Sequence, residues 1–431
     1  MWEQNGTSAS PWTGGLCVQN ILAAIFPSYQ YMPHHFPASA DMTTKQFTGW
    51  IIFNLLMIPI LYIKPERIQW VVLWFNLITA TTLISMVIWI MAKAGGGGPL
   101  LSQPAAALSN YELGWDMVHG VSTVIGGIAV GLTNQMDFSR FARRPGDQVM
   151  GQWVCIIVLG VFMPSLGCLS ASASQKVYGE AIWNPPNLIQ KLLDTSYTPG
   201  ARAAAFFAGC GLVICQLAIN SIDNAFATGI DMAGLFPTYI NIRRGAYVGL
   251  VLSIAMCPWK LLSAASTFIS VLSAYSVFLG PMVGIMICDY WVLRKRRTCY
   301  HPGKDGIYYF SHGINWRSFV AWVTGWSYLL PGFVHAVNPK IAVPKACTNV
   351  YYLAYPLGFV VSFSVHYCLN KASPPVRLRD ADDVDYYGTF TGEEAARLGV
   401  ALPETLDGLN GQPLGIRVRK TSSGTVKEWH V

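Results

Sequence analysis

Apolar residues run through this chain in long blocks that no charge interrupts. Stretches free of Asp, Glu, Lys and Arg cover residues 46–63, 68–92, 117–136, 148–175, 203–222, 261–288, 318–339 and 346–370. Another, 4–40, has its apolar part near 10–27, and a short one, 245–259, is marginal alone. A helix rises about 1.5 Å per residue and a bilayer's hydrocarbon core is about 30 Å thick, so ~20 apolar residues cross it. A soluble helix would expose charges on its outer face every turn or two. The pattern therefore predicts an all-α integral membrane protein with about ten transmembrane helices.

Composition agrees with the pattern. The 431 residues are 52% hydrophobic and only 12% charged, and the mean hydropathy is +0.37. Soluble domains carry about 25% charged residues. A disordered chain, a coiled coil and most soluble enzymes are excluded. If the ten spans alternate and the C-terminal tail is cytoplasmic, 21 of the 29 Lys and Arg residues fall on the cytoplasmic side. That is the positive-inside bias of a multi-pass protein. The net charge of +7 is thus no nucleic-acid signature; the partner it implies is the lipid bilayer. The ten cysteines lie mostly within the spans and form no Cys-x-x-Cys pair. They read as small buried apolar residues, with no metal site and no disulfide framework.

The organisation follows. Residues 1–9 form an atypical N-terminus, 10–370 a polytopic transmembrane domain, and 371–431 a polar, acidic and Pro/Gly-containing tail whose composition predicts a largely disordered cytosolic segment. The outer loop 176–202 carries a short amphipathic stretch, Leu188 to Leu193.

Polar groups inside spans are costly and are candidates for function. One span carries a deep cluster: Gln216, Asn220, Asp223 and Asn224 stand at i, i+4, i+7 and i+8, on one helical face. A substrate and proton site would use such a stripe, with Asp223 facing the bundle interior. Interhelical hydrogen bonding would use it equally. In the span 117–136, Gly120, Gly126, Gly127 and Gly131 allow either close helix packing or a broken helix that offers backbone to a ligand. Asp137 and Arg140 at its cytoplasmic mouth form either a gate pair or an ordinary interfacial pair. Tyr275 and Phe278 in the span 261–288 are candidate substrate contacts. His119, His335 and His366 read as hydrogen-bonded packing residues. No G-x-x-x-x-G-K-[ST], G-x-S-x-G or H-E-x-x-H motif is present, which argues against ATP-driven pumping and hydrolase chemistry. The chain is expected to be neither an enzyme nor a cofactor protein.

Several runs carry a resemblance. They are Ile25-Phe26-Pro27-Ser28, Asp137-Phe138-Ser139-Arg140-Phe141-Ala142, Trp183-Asn184-Pro185-Pro186, Asp231-Met232-Ala233-Gly234-Leu235-Phe236-Pro237, Tyr239-Ile240-Asn241-Ile242-Arg243-Arg244-Gly245 and Gly284-Ile285-Met286-Ile287-Cys288-Asp289-Tyr290-Trp291. In these the chain resembles the nucleobase–cation symporter-1 family, in its uracil, allantoin, uridine and thiamine permease branch. The resemblance implies a LeuT-like inverted-repeat fold of twelve helices, of which the first two are missing here, as in an N-terminally truncated chain. It places the family's substrate-binding Asn at Asn224 and the cation-site positions at Cys215, Ala218 and Ile219. The family often has a hydroxyl residue where Ile219 stands, so the implied coupling ion is a proton, with Asp223 as carrier, rather than sodium. The family's third-helix Trp and Gln fall on Gly6 and Ser10, and a stacking Trp of its sixth helix falls on Ile128.

Together these readings predict a proton-coupled symporter in the plasma membrane, multi-pass, with a cytoplasmic C-terminus. It would import a small nitrogen heterocycle such as uracil, allantoin, uridine or thiamine. The substituted positions favour a larger or less stacked ligand such as thiamine or a nucleoside. The alternative is a non-transporting sensor or degenerate paralogue of such a permease.

Overall fold

The computed structural model describes residues 9–37, 40–63, 69–101, 109–139, 146–236, 238–255, 265–296 and 313–375, with the isolated positions 259, 310, 393 and 396–397. Nearly all of the predicted tail therefore lies outside the described residues. Helices make up the architecture, and among the described residues there is no strand. They are α1 (Ala9–Ile25), α2 (Pro27–Gln30), α3 (Thr44–Leu61), α4 (Gln69–Ala94), α5 (Asn110–Thr133), α6 (Gln135–Ser139), α7 (Asp147–Val154) and α8 (Gly160–Tyr178). There follow α9 (Pro185–Thr195), α10 (Pro199–Ile219), α11 (Ala227–Leu235), α12 (Ile242–Ala255), α13 (Ala265–Ile287), α14 (Trp316–Ser327), α15 (Leu330–Val337), α16 (Lys345–Tyr352) and α17 (Ala354–Ala372). π turns at Cys155–Leu159 and Asn220–Phe226 join α7 to α8 and α10 to α11, and one at Cys288–Leu293 extends α13.

Among the described residues, five helices are long and apolar enough to cross a membrane, and α16 with α17, bent by 78°, would make a sixth. The ten apolar blocks map onto helices. The block 318–339 divides at Leu329, where α14 has ended and α15 begins with Leu330-Pro331; a proline at the second position starts a helix readily and interrupts one it falls within.

The helices gather into two packed groups. α1, α3, α4 and α8–α12 enclose the larger core, with Phe53, Met57, Leu61, Ile90 and Leu193 fully buried. α5 and α13–α17 enclose a smaller one around Val277, Leu329, Tyr351 and Ala354. Lipid tails are as apolar as leucine, so small residues that let backbones meet decide such packing. A Cβ added to Gly15 would stand 2.5 Å from Trp50 Cα, and one added to Gly49 would stand 2.5 Å from the Gly15 carbonyl. α1 and α3 thus touch backbone to backbone. In the smaller group Gly284 packs on Phe359 and Ser362 of α17, and Gly325 of α14 packs on Pro281. Ser362 Oγ donates to the Pro281 carbonyl at 2.9 Å.

The predicted amphipathic stretch forms α9, with Leu188, Ile189, Leu192 and Leu193 buried. It lies against α1, where Gln19 donates to Gln190 Oε1 at 2.9 Å and Asn20 to the Pro186 carbonyl at 2.7 Å. The end of α1 is closed by α10 and its approach. Arg202 donates from Nε to the Ala24 carbonyl and from Nη2 to that of Ile25, both at 2.8 Å, and Tyr197 donates to Ala23 at 2.6 Å. The last carbonyls of a helix have no partner within it, and a cation there also meets the negative end of the helix dipole. Arg202→Ala should therefore cost about 1.5–3 kcal/mol. A lower thermal unfolding midpoint of the detergent-purified protein would report it, with Arg202→Lys falling between the two.

Candidate functional site

The polar stripe is built on the junction of α10 and the π turn Asn220–Phe226. Gln216 is buried and Asn220 almost fully so, at 1% exposure. Asn220 Nδ2 donates to the Gln216 carbonyl at 2.7 Å and lies 3.4 Å from Gln216 Oε1. Asn224 Nδ2 donates to Asn220 Oδ1 at 3.2 Å. The three amides form a ladder that keeps a row of donors and acceptors in one line within an apolar core. Ser221 turns its hydroxyl back onto the Leu217 carbonyl, which leaves it spent on its own helix.

Asp223 differs from the expectation of a carboxylate facing the bundle interior. Its side chain is exposed, whereas Asn224 is half-buried. The physical reason is the π turn. Its wider winding, closed by i→i+5 bonds, breaks the i, i+4, i+7, i+8 spacing that would have put all four side chains on one face.

Cys215 and Ile219 are half-buried and Ala218 is buried. Ala204, Ala208, Gly211, Cys215 and Ala218 stand at i, i+4, i+7, i+11 and i+14, one continuous face of α10. At Gly211 this face meets α4, because a Cβ there would strike Thr82. Beyond that crossing, α4, α9 and α10 border a cavity of about 570 Å³, lined by Trp74, Ile78, Trp89, Leu192, Phe207 and Ala208 among others. None of the predicted substrate residues lines it, so its size is not a reason to move the polar site there.

The other predicted residues divide. Gly127 and Ile128 lie in α5 and Tyr275 in α13, but their side chains lie outside the described residues, as does that of Asp137. Arg140 is outside them altogether. Phe278 belongs to the smaller core rather than to the amide ladder. Its ring packs 5.6 Å from Trp326 and 6.0 Å from Phe333, and its carbonyl accepts from Trp322 Nε1 at 3.0 Å. The histidines do as expected of packing residues. His119 stacks on Tyr352 at 4.2 Å, His335 bonds the Ile341 carbonyl at 2.7 Å, and His366 is fully buried beside Asn370, 4.0 Å from Asp289. Among the described residues no group of three His, Cys, Asp or Glu could hold a metal ion.

Sequence reasoning passed over Gln19, Asn20 and Asn54. All three are buried amides in apolar helices, and Asn54 Nδ2 donates to the Trp50 carbonyl at 2.8 Å. The rule that singled out Asn220 would have found them, since each interrupts an apolar run.

Residues 5–358 match the family model described as permease for cytosine/purines, uracil, thiamine and allantoin. The chain belongs to that family. Among curated relatives, the permease is 43% identical to the transporter aclS of Aspergillus oryzae, over 92% of this chain and 70% of that protein. It is 35% identical to the thiamine transporter THI72 of Saccharomyces cerevisiae, over 91% of this chain and 66% of that one. The allantoin permease of the same yeast is 32% identical over 83% of this chain and 58% of its own length. The chain thus spans about two thirds, or less, of the length of these relatives. Among solved structures, Mhp1, a nucleobase–cation-symport-1 family transporter in a closed conformation with bromovinylhydantoin bound, aligns with a TM-score of 0.60 at 18% identity. That alignment covers 86% of this chain and 76% of Mhp1. The inward-facing form of Mhp1 aligns at 0.54. The permease therefore has the LeuT-like transporter fold, and its family is one of membrane transporters rather than enzymes.

The ladder makes a direct prediction. Asn220→Leu removes the acceptor of Asn224 and the donor to Gln216. A loss of about 1–2 kcal/mol should follow, read as a lower unfolding midpoint in detergent, whereas Asn224→Leu, at the end of the chain of bonds, should lose less.

Proposed function

We propose that this permease is a secondary active transporter that imports a small nitrogen heterocycle across the plasma membrane, with its C-terminus in the cytoplasm. The reading rests on one observation above all: three bonded amides, Gln216, Asn220 and Asn224, line up inside an apolar core. Heterocycles of this class present adjacent donors and acceptors on a flat ring edge. A side-chain amide carries both a donor and an acceptor, and can turn to match either. Substrate would exchange the Asn224 end of the ladder for its own ring nitrogens and carbonyls, which loses little because the amide is only half-buried. Relatives named for thiamine, nicotinamide riboside, allantoin, uridine and uracil support the substrate class.

The coupling ion in this reading is a proton. Cys215, Ala218 and Ile219 bring no side-chain hydroxyl or carboxylate to the α10 face, so they offer a hard cation such as sodium little beyond backbone carbonyls. Asp223, two residues after the buried Ser221 and itself exposed, would exchange protons on the cytoplasmic side. Asp137 and Arg140 would gate that mouth, and Gly127, Ile128 and Tyr275 would face the substrate from α5 and α13. Phe278 would act on the site indirectly, through the aromatic core that holds α13.

Uptake of radiolabelled thiamine, uridine, uracil and allantoin by cells carrying the gene at its full genomic length tests the reading. Asn224→Ala should abolish accumulation of the transported compound while leaving the amount of protein at the cell surface unchanged. Uptake should collapse with a protonophore and persist when sodium is replaced by choline. Wild-type rates in Asn224→Ala would overturn the site. Saturable binding without accumulation would favour a sensor, a reading that the Ile at position 128 supports, since it offers no stacking ring to a planar ligand.

A further inference from the structure

The cavity between α4, α9 and α10 has a composition unlike that of the amide ladder. Its walls are Trp, Leu, Ile, Ala and Phe, with three hydroxyl residues, Thr81, Thr82 and Ser85. Each hydroxyl is already committed. Thr81 donates to the Leu77 carbonyl at 2.9 Å, Thr82 to Ile78 at 2.8 Å and Ser85 to Thr81 at 2.7 Å. The hydroxyls therefore extend no free donor to an occupant, which leaves only the indole N–H groups of Trp74 and Trp89, and a ring with several polar edges would lose most of its hydration there without compensation. An occupant without polar atoms would lose nothing.

The mouth is different. Trp89, which lines the groove, carries the Lys93 ammonium 5.5 Å above its ring. The same ammonium lies 4.9 Å from the Tyr178 ring centre and donates to the Tyr178 hydroxyl at 3.3 Å. Lys93 is exposed, and among the described residues no carboxylate lies within ion-pair distance of it. Lys191, the cation of neighbouring α9, is by contrast paired with Glu180 at 3.0 Å. A tryptophan and a tyrosine beside a lysine at the end of an apolar helix mark the headgroup level of a bilayer. From Trp89 to Ile78 the helix rises roughly 16 Å, about the depth of one leaflet of a ~30 Å hydrocarbon core.

We propose that this groove is a phospholipid site: the phosphate rests on Lys93 and one acyl chain lies along α4, between the Trp89 ring and Phe207 of α10. The two halves of the ligand match the two halves of the groove, the anion at the exposed ammonium and the hydrocarbon along an apolar wall whose hydroxyls are spent. The site is independent of what the permease transports. It adjoins the crossing of α4 and α10 at Gly211, so a bound chain would fill the space that lets α4 lean toward α10.

The test uses the full-length protein reconstituted in phosphatidylcholine vesicles that contain a phosphatidylcholine with a diazirine in its acyl chain. After illumination, labelled peptides are mapped by mass spectrometry. Label should concentrate on residues 74–89 and 204–208. Lys93→Gln should lower it there by about two- to fivefold, the worth of one exposed ion pair with a phosphate, and Lys93→Arg should retain it. Ala208→Phe, which fills the groove, should remove it. Lys93→Gln alters only an exposed side chain, so the outcome stands even if Ala208→Phe fails to fold. Label spread evenly over the other lipid-facing helices, label unchanged in Lys93→Gln, or a groove left unlabelled because another helix covers it would each overturn the proposal.

Discussion

In a bilayer, burying an apolar side chain against protein gains little over burying it against lipid, and the helices of this permease must be held together by something else. What holds them is contact between backbones. Gly15 and Gly49 bring α1 and α3 so close that a single added methyl group would collide with Trp50 or with the Gly15 carbonyl. Gly245 meets Gly229 where α12 crosses α11, and Gly325 meets Pro281 where α14 crosses α13. At each crossing dispersion contacts multiply over a flat, close interface. Everything else, the amide ladder and the capped end of α1 included, is positioned by helices that those glycines allow to meet.

The polar groups follow a second rule. Inside an apolar medium an amide must find a partner or bear the cost of having none. Gln216, Asn220 and Asn224 solve this along one helix, by bonding to each other. Gln19 and Asn20 bond between helices, donating to α9, and bear the cost of side-chain oxygens that are buried without a partner. The first arrangement can open toward a ligand without separating any two helices. The second cannot open without releasing α9 from α1. That contrast is a physical reason to place recognition on the ladder and structure on the α1–α9 contact.

Much of the fold was legible in the order of residues because charge is so costly in lipid that its absence marks a span directly. Every uninterrupted apolar block corresponds to at least part of a helix, and the Leu188–Leu193 stretch is the buried face of α9. The ladder was legible for the same reason, as amides where none is needed for solubility. The π turn was not. Nothing in Asn220-Ser221-Ile222-Asp223 announces a change of winding, and that change is what separates Asp223 from its neighbours. Phe278 was named from its place in an apolar span, which does not say which helix its ring meets; here it meets Trp322 and Trp326. The groove along α4 was invisible because its lining brings α4 against α9 and α10, which lie far from it in the chain.

Arg202 joins two elements that are 177 residues apart in sequence. It lies in the first turn of α10 and holds the final carbonyls of α1 with two of its nitrogens. A guanidinium is rigid and planar, so two bonds from it fix an angle as well as a distance. At this end the two helices are joined by both bonds of one side chain. α10 carries the amide ladder at its other end, about five turns away. A tilt of α1 about its glycine contact with α3 would therefore pull on the helix that carries the ladder, from its far end.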